Sequence, residues 1–158
     1  MNSWLFLLLL AVAPISELRG AIPYGIIKGL PLIPVILISI IANIIAGILV
    51  YFFLDKIVHL FFNWGFFKRY YHKFIERAQK KIHAQVEKYG WIGVALFVGI
   101  PLPITGAWTG ALGSYLIGLE KKKAIAAIIL GVLMASIIVT IVMLTGAEIF
   151  QKLFIKVI

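Results

Sequence analysis

Long apolar stretches alternate with short polar segments along this chain. Four such stretches stand out, at 4–16, 30–54, 89–119 and 124–147, and the last three contain no charged residue. A transmembrane helix needs about 20 consecutive apolar residues. The second and fourth stretches therefore predict two membrane-spanning helices, whereas the lengths of the other two fit no simple crossing.

The first stretch is too short to cross a membrane. Pro14 is expected to end its helix, Ser16–Gly20 follows as a polar, non-helical tip, and residues 21–27 supply a short second arm. This pattern predicts a re-entrant hairpin, which enters and leaves the membrane on one side. A single kinked span remains the alternative. A signal peptide is disfavoured because no basic residue precedes the apolar core.

The third stretch is longer than one span requires and shorter than two full spans. Pro101, Pro103 and Gly106 lie at its centre and break any continuous helix there. Two half-helices, at about 91–99 and 107–118, are predicted on either side of this break. A second re-entrant hairpin would also keep the two basic segments that flank this stretch on one side of the membrane.

The chain then reads as two similar units, at 1–54 and 89–158, joined by the connector 55–88. Because one span ends at the connector and the other begins after the basic turn at 120–123, the units are expected to have opposite orientations. Inverted repeats with broken helices are typical of transporters. The fold prediction is an all-α integral membrane protein, with residues 1–158 forming one membrane domain and each unit a re-entrant hairpin followed by a transmembrane helix.

Composition and charge strengthen the membrane assignment. The chain is 63% hydrophobic and 13% charged, against about 45–50% and about 25% in soluble domains. Its net charge of +9 is concentrated in residues 55–88 and 120–123, which the positive-inside rule places in the cytoplasm. This clustering disfavours nucleic-acid binding. The spacing of apolar and basic residues at 67–89 predicts an amphipathic helix on the inner leaflet.

Glu17 and Arg19 are the ionisable residues expected near membrane depth, in the first predicted tip. A charge at the bilayer centre costs about 2.5–3.5 kcal/mol on insertion scales, so such residues usually face a cavity or a partner. The two can pair with each other, or Arg19 can bind a phosphate while Glu17 exchanges a proton. Both side chains could instead reach water at a shallow tip.

The second predicted tip carries Thr105, Trp108 and Thr109 but no charge. A half-helix that begins near Ala107 could offer its free backbone amides as a seat for an anion, and its small residues also suit close helix packing. Asn43, in the first span, could line the same cavity or form a hydrogen bond between helices. The chain has no cysteine and no metal-ligand spacing or hydrolytic motif, so we expect no enzyme activity, metal or cofactor.

Two segments carry a family resemblance: ISELRGAIP at 15–23 and PLPITGAWTGAL at 101–112. Together they resemble the small multi-drug export family, a branch of the DedA/VTT superfamily. The resemblance implies a prokaryotic plasma membrane, two re-entrant hairpins and the movement of lipids, with Glu17, Arg19 and Pro23 at the acidic, basic and proline positions of the first hairpin. The arginines that proton-coupled DedA proteins carry in the second hairpin are missing here.

The leading functional hypothesis is a transporter or flippase of an anionic lipid, either a polyprenyl phosphate or a phospholipid. Export of small hydrophobic cations, with Glu17 as counter-ion, and a non-transporting interaction protein are the alternatives. Protons or Na+ are candidate coupling ions. Small-residue motifs could pack the two repeats or two protomers together, and a homodimer is expected because two spans and two hairpins leave little protein to enclose a cavity. The predicted substrate-binding residues are Glu17, Arg19, Pro23, Asn43, Pro101, Pro103, Thr105, Gly106, Trp108 and Thr109.

Overall fold

A computed structural model describes residues 2–61, 90–102 and 105–155. These residues form α-helices and connecting turns, without a β-strand, as the all-α prediction requires. The helices are α1 (Ser3–Val12), α2 (Glu17–Ile27), α3 (Leu32–Phe61), α4 (Trp91–Gly99), α5 (Ala107–Leu116) and α6 (Lys121–Ile155). The predicted amphipathic helix at 67–89 and the site residue Pro103 lie outside the described residues.

The two long helices contain the candidate membrane spans. Leu32–Leu54 in α3 and Lys121–Gly146 in α6 are long and apolar enough to cross a bilayer, since 23 residues of α-helix rise about 35 Å and the hydrocarbon core is about 30 Å thick. α3 extends beyond the predicted limit at 54 to Phe61, and α6 begins at Lys121, before the predicted limit at 124. The reason is that a charged residue ends an apolar stretch without ending a helix.

The four short helices form two pairs, α1 with α2 and α4 with α5. The breaks lie where proline was expected to place them: α1 ends at Val12, two residues before Pro14, and α4 ends at Gly99. Each pair packs against the long helix that follows it, α3 or α6. The predicted half-helices at 91–99 and 107–118 are confirmed as helices, although α5 ends at Leu116.

The second helix of each pair ends in the same way. Gly29 and Gly118 have φ angles of +67° and +71°, which glycine adopts without a Cβ penalty. The following leucine N–H groups, of Leu30 and Leu119, donate back to carbonyls five residues earlier at 3.0 and 2.9 Å, as in a Schellman motif. The second helix of each pair also packs against the long helix of the other unit, since α2 contacts α6 and α5 contacts α3.

Small residues lie where these helices cross. A Cβ on Gly47 of α3 would lie 2.9 Å from the Cβ of Ala107 in α5, and a Cβ on Gly131 of α6 would clash with Val98 in α4. Glycine at such positions lets helix backbones approach closely and gain van der Waals contact. The outer faces of the long helices remain apolar, for example at Ile41 in α3, as lipid contact requires.

The prediction of a non-helical tip at Ser16–Gly20 is wrong. Residues 13–16 make the whole turn, and α2 begins at Glu17, so Glu17 and Arg19 lie in the first turn of a helix. Pro14 breaks the chain early enough for the helix to resume at once, and Gly20 continues it. The tight turn leaves Glu17 in the left-handed region, with φ at +48°, which costs a non-glycine residue about 1–2 kcal/mol.

Candidate functional site

The first turn of α2 meets the turn between α4 and α5, and the two form what we call the tip junction. It consists of Glu17 and Arg19 on one side and residues 100–102 and 105–108 on the other. The hydrogen bonds that join the two sides connect residues 81 to 91 positions apart in sequence. The tip junction therefore ties the first helix pair to the second.

Glu17 caps the N-terminus of α5. Its side chain is buried, with 3% exposed, and its two carboxylate oxygens accept the backbone N–H groups of Ala107 and Trp108, each at 3.1 Å. The first amides of a helix have no partner within the helix, and their positive end attracts a negative charge. The N-cap residue Gly106 has no side chain to do this, so an acidic residue from another helix does it instead.

Gly106 provides the space for this cap. A Cβ at this position would collide with the Glu17 carboxylate. The φ angle of Gly106 is 162°, an extended conformation that any residue can adopt, so conformational freedom does not explain the glycine. The requirement at this position is steric.

Arg19 holds the turn that precedes α5. Nη1 donates to the carbonyl of Leu102 at 2.7 Å, and Nη2 donates to Thr105 Oγ1 at 2.9 Å and to the carbonyl of Ile100 at 3.4 Å. The hydroxyl of Thr105 donates to the Ile100 carbonyl and accepts the backbone N–H of Leu102. The guanidinium is therefore enclosed by one short segment of backbone and one threonine.

The two carbonyl acceptors owe their position to the prolines that follow them in sequence. Ile100 precedes Pro101, and Leu102 precedes Pro103, and a residue before proline is pushed away from helical geometry. Ile100 accordingly has φ −78° and ψ 118°. Since proline cannot donate a hydrogen bond, this segment has carbonyls without helical partners. Those of Ile100 and Leu102 accept the backbone N–H groups of Leu102 and Thr105, and Arg19 donates to both as well.

These contacts revise two expectations about the site. Glu17 and Arg19 each bond to the second helix pair, so the predicted pairing between them is not what holds either side chain. The predicted anion seat at the start of α5 is occupied by Glu17. Both terminal nitrogens of Arg19 are taken as well, and only its buried Nε has no hydrogen-bond partner among the described residues.

Two further predicted residues hold the end of α1. Trp108 Nε1 donates to the carbonyl of Val12 at 3.0 Å, and Asn43 Nδ2 donates to the carbonyl of Ala11 at 3.1 Å. The last carbonyls of a helix lack partners within the helix, so these bonds fix α1 to α5 and α3. Asn43 is fully buried, and its Oδ1 has no partner in the part of the chain that is described.

Of the remaining predicted site residues, Pro101 belongs to the tip junction, and Thr109 and Pro23 lie outside it. Thr109 donates its hydroxyl to the Gly106 carbonyl at 3.3 Å. Pro101 is partly exposed within the turn that binds Arg19. Pro23 lies in α2, six residues and about 9 Å of helix rise after Glu17. Of the described residues, no group of three or more His, Asp or Glu could hold a metal ion.

An apolar groove of about 830 Å³ begins beside the tip junction. The end of α1, the second half of α3 and the first turns of α5 form its walls. Among the described residues, the lining contains one ionisable side chain, that of Lys56, and two polar ones, those of Trp108 and Thr109. The lining residues are Val12, Pro14, Ala46, Leu49, Val50, Phe52, Phe53, Leu54, Lys56, Trp108, Thr109 and Leu112.

This groove is not predicted by the sequence pattern. Its walls come from three helices that are far apart in sequence, and most of the lining residues are ordinary for a transmembrane helix. One signal was available: Ala46, Leu49, Val50 and Phe53 recur at the three- and four-residue steps of one helix face. That face leads to Lys56, the first basic residue after the span.

The two candidate spans, the apolar outer surface and the buried charges at the tip junction define a helical membrane protein. The chain belongs to the family described as "Putative small multi-drug export protein", because the model of that family matches residues 17–138. The match begins at Glu17 and includes both sides of the tip junction. No curated protein and no solved structure matches this chain.

Proposed function

We propose that this protein exports small hydrophobic compounds and that they bind in the groove between α1, α3 and α5. The groove is the observation that carries this proposal. Its volume of about 830 Å³ lies within the range of about 300–1,000 Å³ that is usual for small-molecule sites. Its lining is apolar over most of its length, as a hydrophobic substrate requires, and the family's description as an export protein agrees with this role.

The tip junction is proposed to control access to the groove. Trp108 belongs to both, because its N–H bonds to Val12 while the residue also lines the groove. Transport requires at least two states that expose the site differently. A movement of one helix pair against the other would break and remake the contacts of Glu17 and Arg19, which join the pairs together with the Trp108–Val12 hydrogen bond, and would open one end of the groove.

We also propose the membrane arrangement expected from sequence, an inverted repeat with two re-entrant hairpins. The matching Schellman ends of α2 and α5 and the reciprocal contacts α2–α6 and α5–α3 support it. Residues 55–88 and 120–123 would then be cytoplasmic in a multi-pass protein of a prokaryotic plasma membrane. The chain has no cysteine, so labelling of Lys80→Cys from outside intact cells would contradict this topology.

The anionic-lipid flippase hypothesis has less support than export. A phosphate at the terminal nitrogens of Arg19 would compete with Leu102, Thr105 and Ile100, which already accept hydrogen bonds from them. The relation to the DedA/VTT superfamily, coupling to protons or Na+, and a homodimer stay predictions from the sequence. The third hypothesis, a non-transporting interaction protein, predicts that no transport occurs at all.

Blocking the groove tests the export proposal. Leu112→Trp adds a large side chain within the groove, and Leu130→Trp adds the same side chain on α6, outside it. The two leucines are 42% and 43% exposed, so they form a matched pair. In vesicles reconstituted with each variant, we expect Leu112→Trp to lose most of the transport of a hydrophobic fluorescent dye and Leu130→Trp to retain it.

The same vesicles separate the hypotheses. Equal dye transport by both variants would contradict a role for the groove. Transport of a labelled polyprenyl phosphate without dye transport would instead favour the lipid hypothesis. If vesicles with the unmodified protein transport neither compound faster than empty vesicles do, the non-transporting alternative is favoured.

A further inference from the structure

We infer that the groove selects anionic amphiphiles with a single hydrocarbon chain. In this arrangement the charged group lies beside Lys56 and the chain extends along α3 toward Trp108. The inference rests on the proposed function, because it names the class of substrate for the same groove. It opposes the expectation of cationic substrates that was drawn from Glu17.

The charges around the groove support an anion. Among the described residues, Lys56 is the ionisable residue of the lining, and none of the described lining residues is acidic. The ammonium of Lys121 lies 6.0 Å from the ring centroid of Phe52, another lining residue. Charges interact more strongly beside an apolar surface than in bulk water. A bound cation would be repelled at this end of the groove.

Glu17 does not offset these positive charges. It is absent from the lining of the groove, it is buried, and both of its carboxylate oxygens accept backbone N–H groups of α5. A cationic substrate would have to break that cap to use Glu17 as its counter-ion.

The polar groups at the opposite end of the groove are already satisfied. The N–H of the Trp108 ring donates to the Val12 carbonyl, and the hydroxyl of Thr109 donates to the Gly106 carbonyl. A buried polar head group without partners is costly. The head group of a bound amphiphile is therefore favoured at Lys56, with its hydrocarbon at the Trp108 end.

The dimensions fit one hydrocarbon chain within one leaflet. Ala46 and Lys56, both in the lining, are ten residues apart on α3, which corresponds to about 15 Å of helix rise. This is half of the hydrocarbon core of about 30 Å. The volume is that of a small-molecule site, so we favour a single-chain compound over a phospholipid with two chains.

A fluorescence titration tests this inference. In protein with Trp4→Phe, Trp64→Phe and Trp91→Phe, Trp108 is the remaining tryptophan. The probes are 11-bromoundecanoic acid and its trimethylammonium analogue, since the bromine at the end of each chain quenches a nearby tryptophan. In neutral detergent micelles at a pH where the acid is ionised, we expect the acid to bind about tenfold more tightly, as one nearby charge can provide.

Charge variants identify the residue responsible. Lys56→Gln is expected to remove the preference for the acid, and Lys56→Glu to reverse it. Lys28→Glu makes the same charge change at the exposed end of α2, outside the groove, and should leave the preference intact. A preference that persists unchanged in Lys56→Glu would overturn the inference.

The remaining outcomes separate failure of the inference from failure of the proposed function. Equal quenching by both probes leaves groove binding standing and overturns charge selection. Quenching by neither probe contradicts substrate binding in the groove, and the inference fails with it. Quenching by a brominated phosphatidylglycerol but not by the acid shows a membrane lipid as occupant, and occlusion of Trp108 on dimerisation shows a second copy. Either result overturns the inference.

Discussion

Replacing Glu17 by glutamine tests the tip junction with almost no change in side-chain shape. The carboxylate accepts two backbone N–H groups at 3.1 Å, whereas a carboxamide has one acceptor oxygen and an NH2 group that can only donate. One N–H of α5 therefore loses its acceptor and faces another donor. A hydrogen bond to a charged group contributes about 1.5–3 kcal/mol, and an unpaired buried donor costs about 1–3 kcal/mol.

These two effects overlap, so we expect the free energy of unfolding to fall by about 3 kcal/mol, a factor of about 100 in the folded fraction relative to the unfolded. Equilibrium unfolding in mixed micelles, followed by circular dichroism, measures the change. Glu120→Gln is the matched control, because Glu120 is 64% exposed and lies 3.8 Å from Lys123, and such pairs contribute about 0–1 kcal/mol. The capping role is refuted if Glu17→Gln destabilises no more than this control.

Three other substitutions test the same junction in the same unfolding assay. Lysine in Arg19→Lys keeps the charge but has a single nitrogen, so it cannot donate to acceptors from two nitrogens as arginine does. We expect the free energy of unfolding to fall by about 1–2 kcal/mol, and a stability equal to that of the unmodified protein would contradict this role of the guanidinium. Gly106→Ala should lower the melting temperature because its Cβ collides with Glu17, while Gly113→Ala, with no atom within 4 Å of its Cβ, should be tolerated. The Glu17→Gly variant should be about 1 kcal/mol more stable than the Glu17→Ala variant, because the φ angle of residue 17 is +48° and glycine adopts it without a Cβ penalty. In an ordinary helical position alanine is the more stable of the two.

The helices could be predicted because their signals are local. The length of an uncharged stretch predicts a span, and proline predicts a break. For this reason the predicted half-helix at 91–99 has the same first and last residues as α4. Glu17 and Arg19 could be singled out because a charge in an apolar segment needs an explanation. Even so, the prediction that they lie in a non-helical tip is wrong, because the number of residues in the turn depends on how α1 and α2 pack.

The partners of these charges could not be predicted. Glu17 binds the N–H groups of Ala107 and Trp108, and Arg19 binds mainly carbonyls. Every residue except proline has both backbone groups, so side-chain patterns give no sign of which ones will be used. The groove is hidden for a similar reason, because it is formed by the relative positions of α1, α3 and α5.

The two sides of the tip junction are far apart in sequence, which affects the order in which the helices of this protein can assemble. Glu17 is synthesised 90 residues before the amide of Ala107 that it binds. At about 5–20 residues per second, a ribosome needs about 5–18 s to cover that distance. Throughout this interval Glu17 and Arg19 lack their final partners, and burying either one without a partner is costly. The N-terminal helix pair is therefore expected to reach its final depth only after α5 emerges, although it is the first segment synthesised.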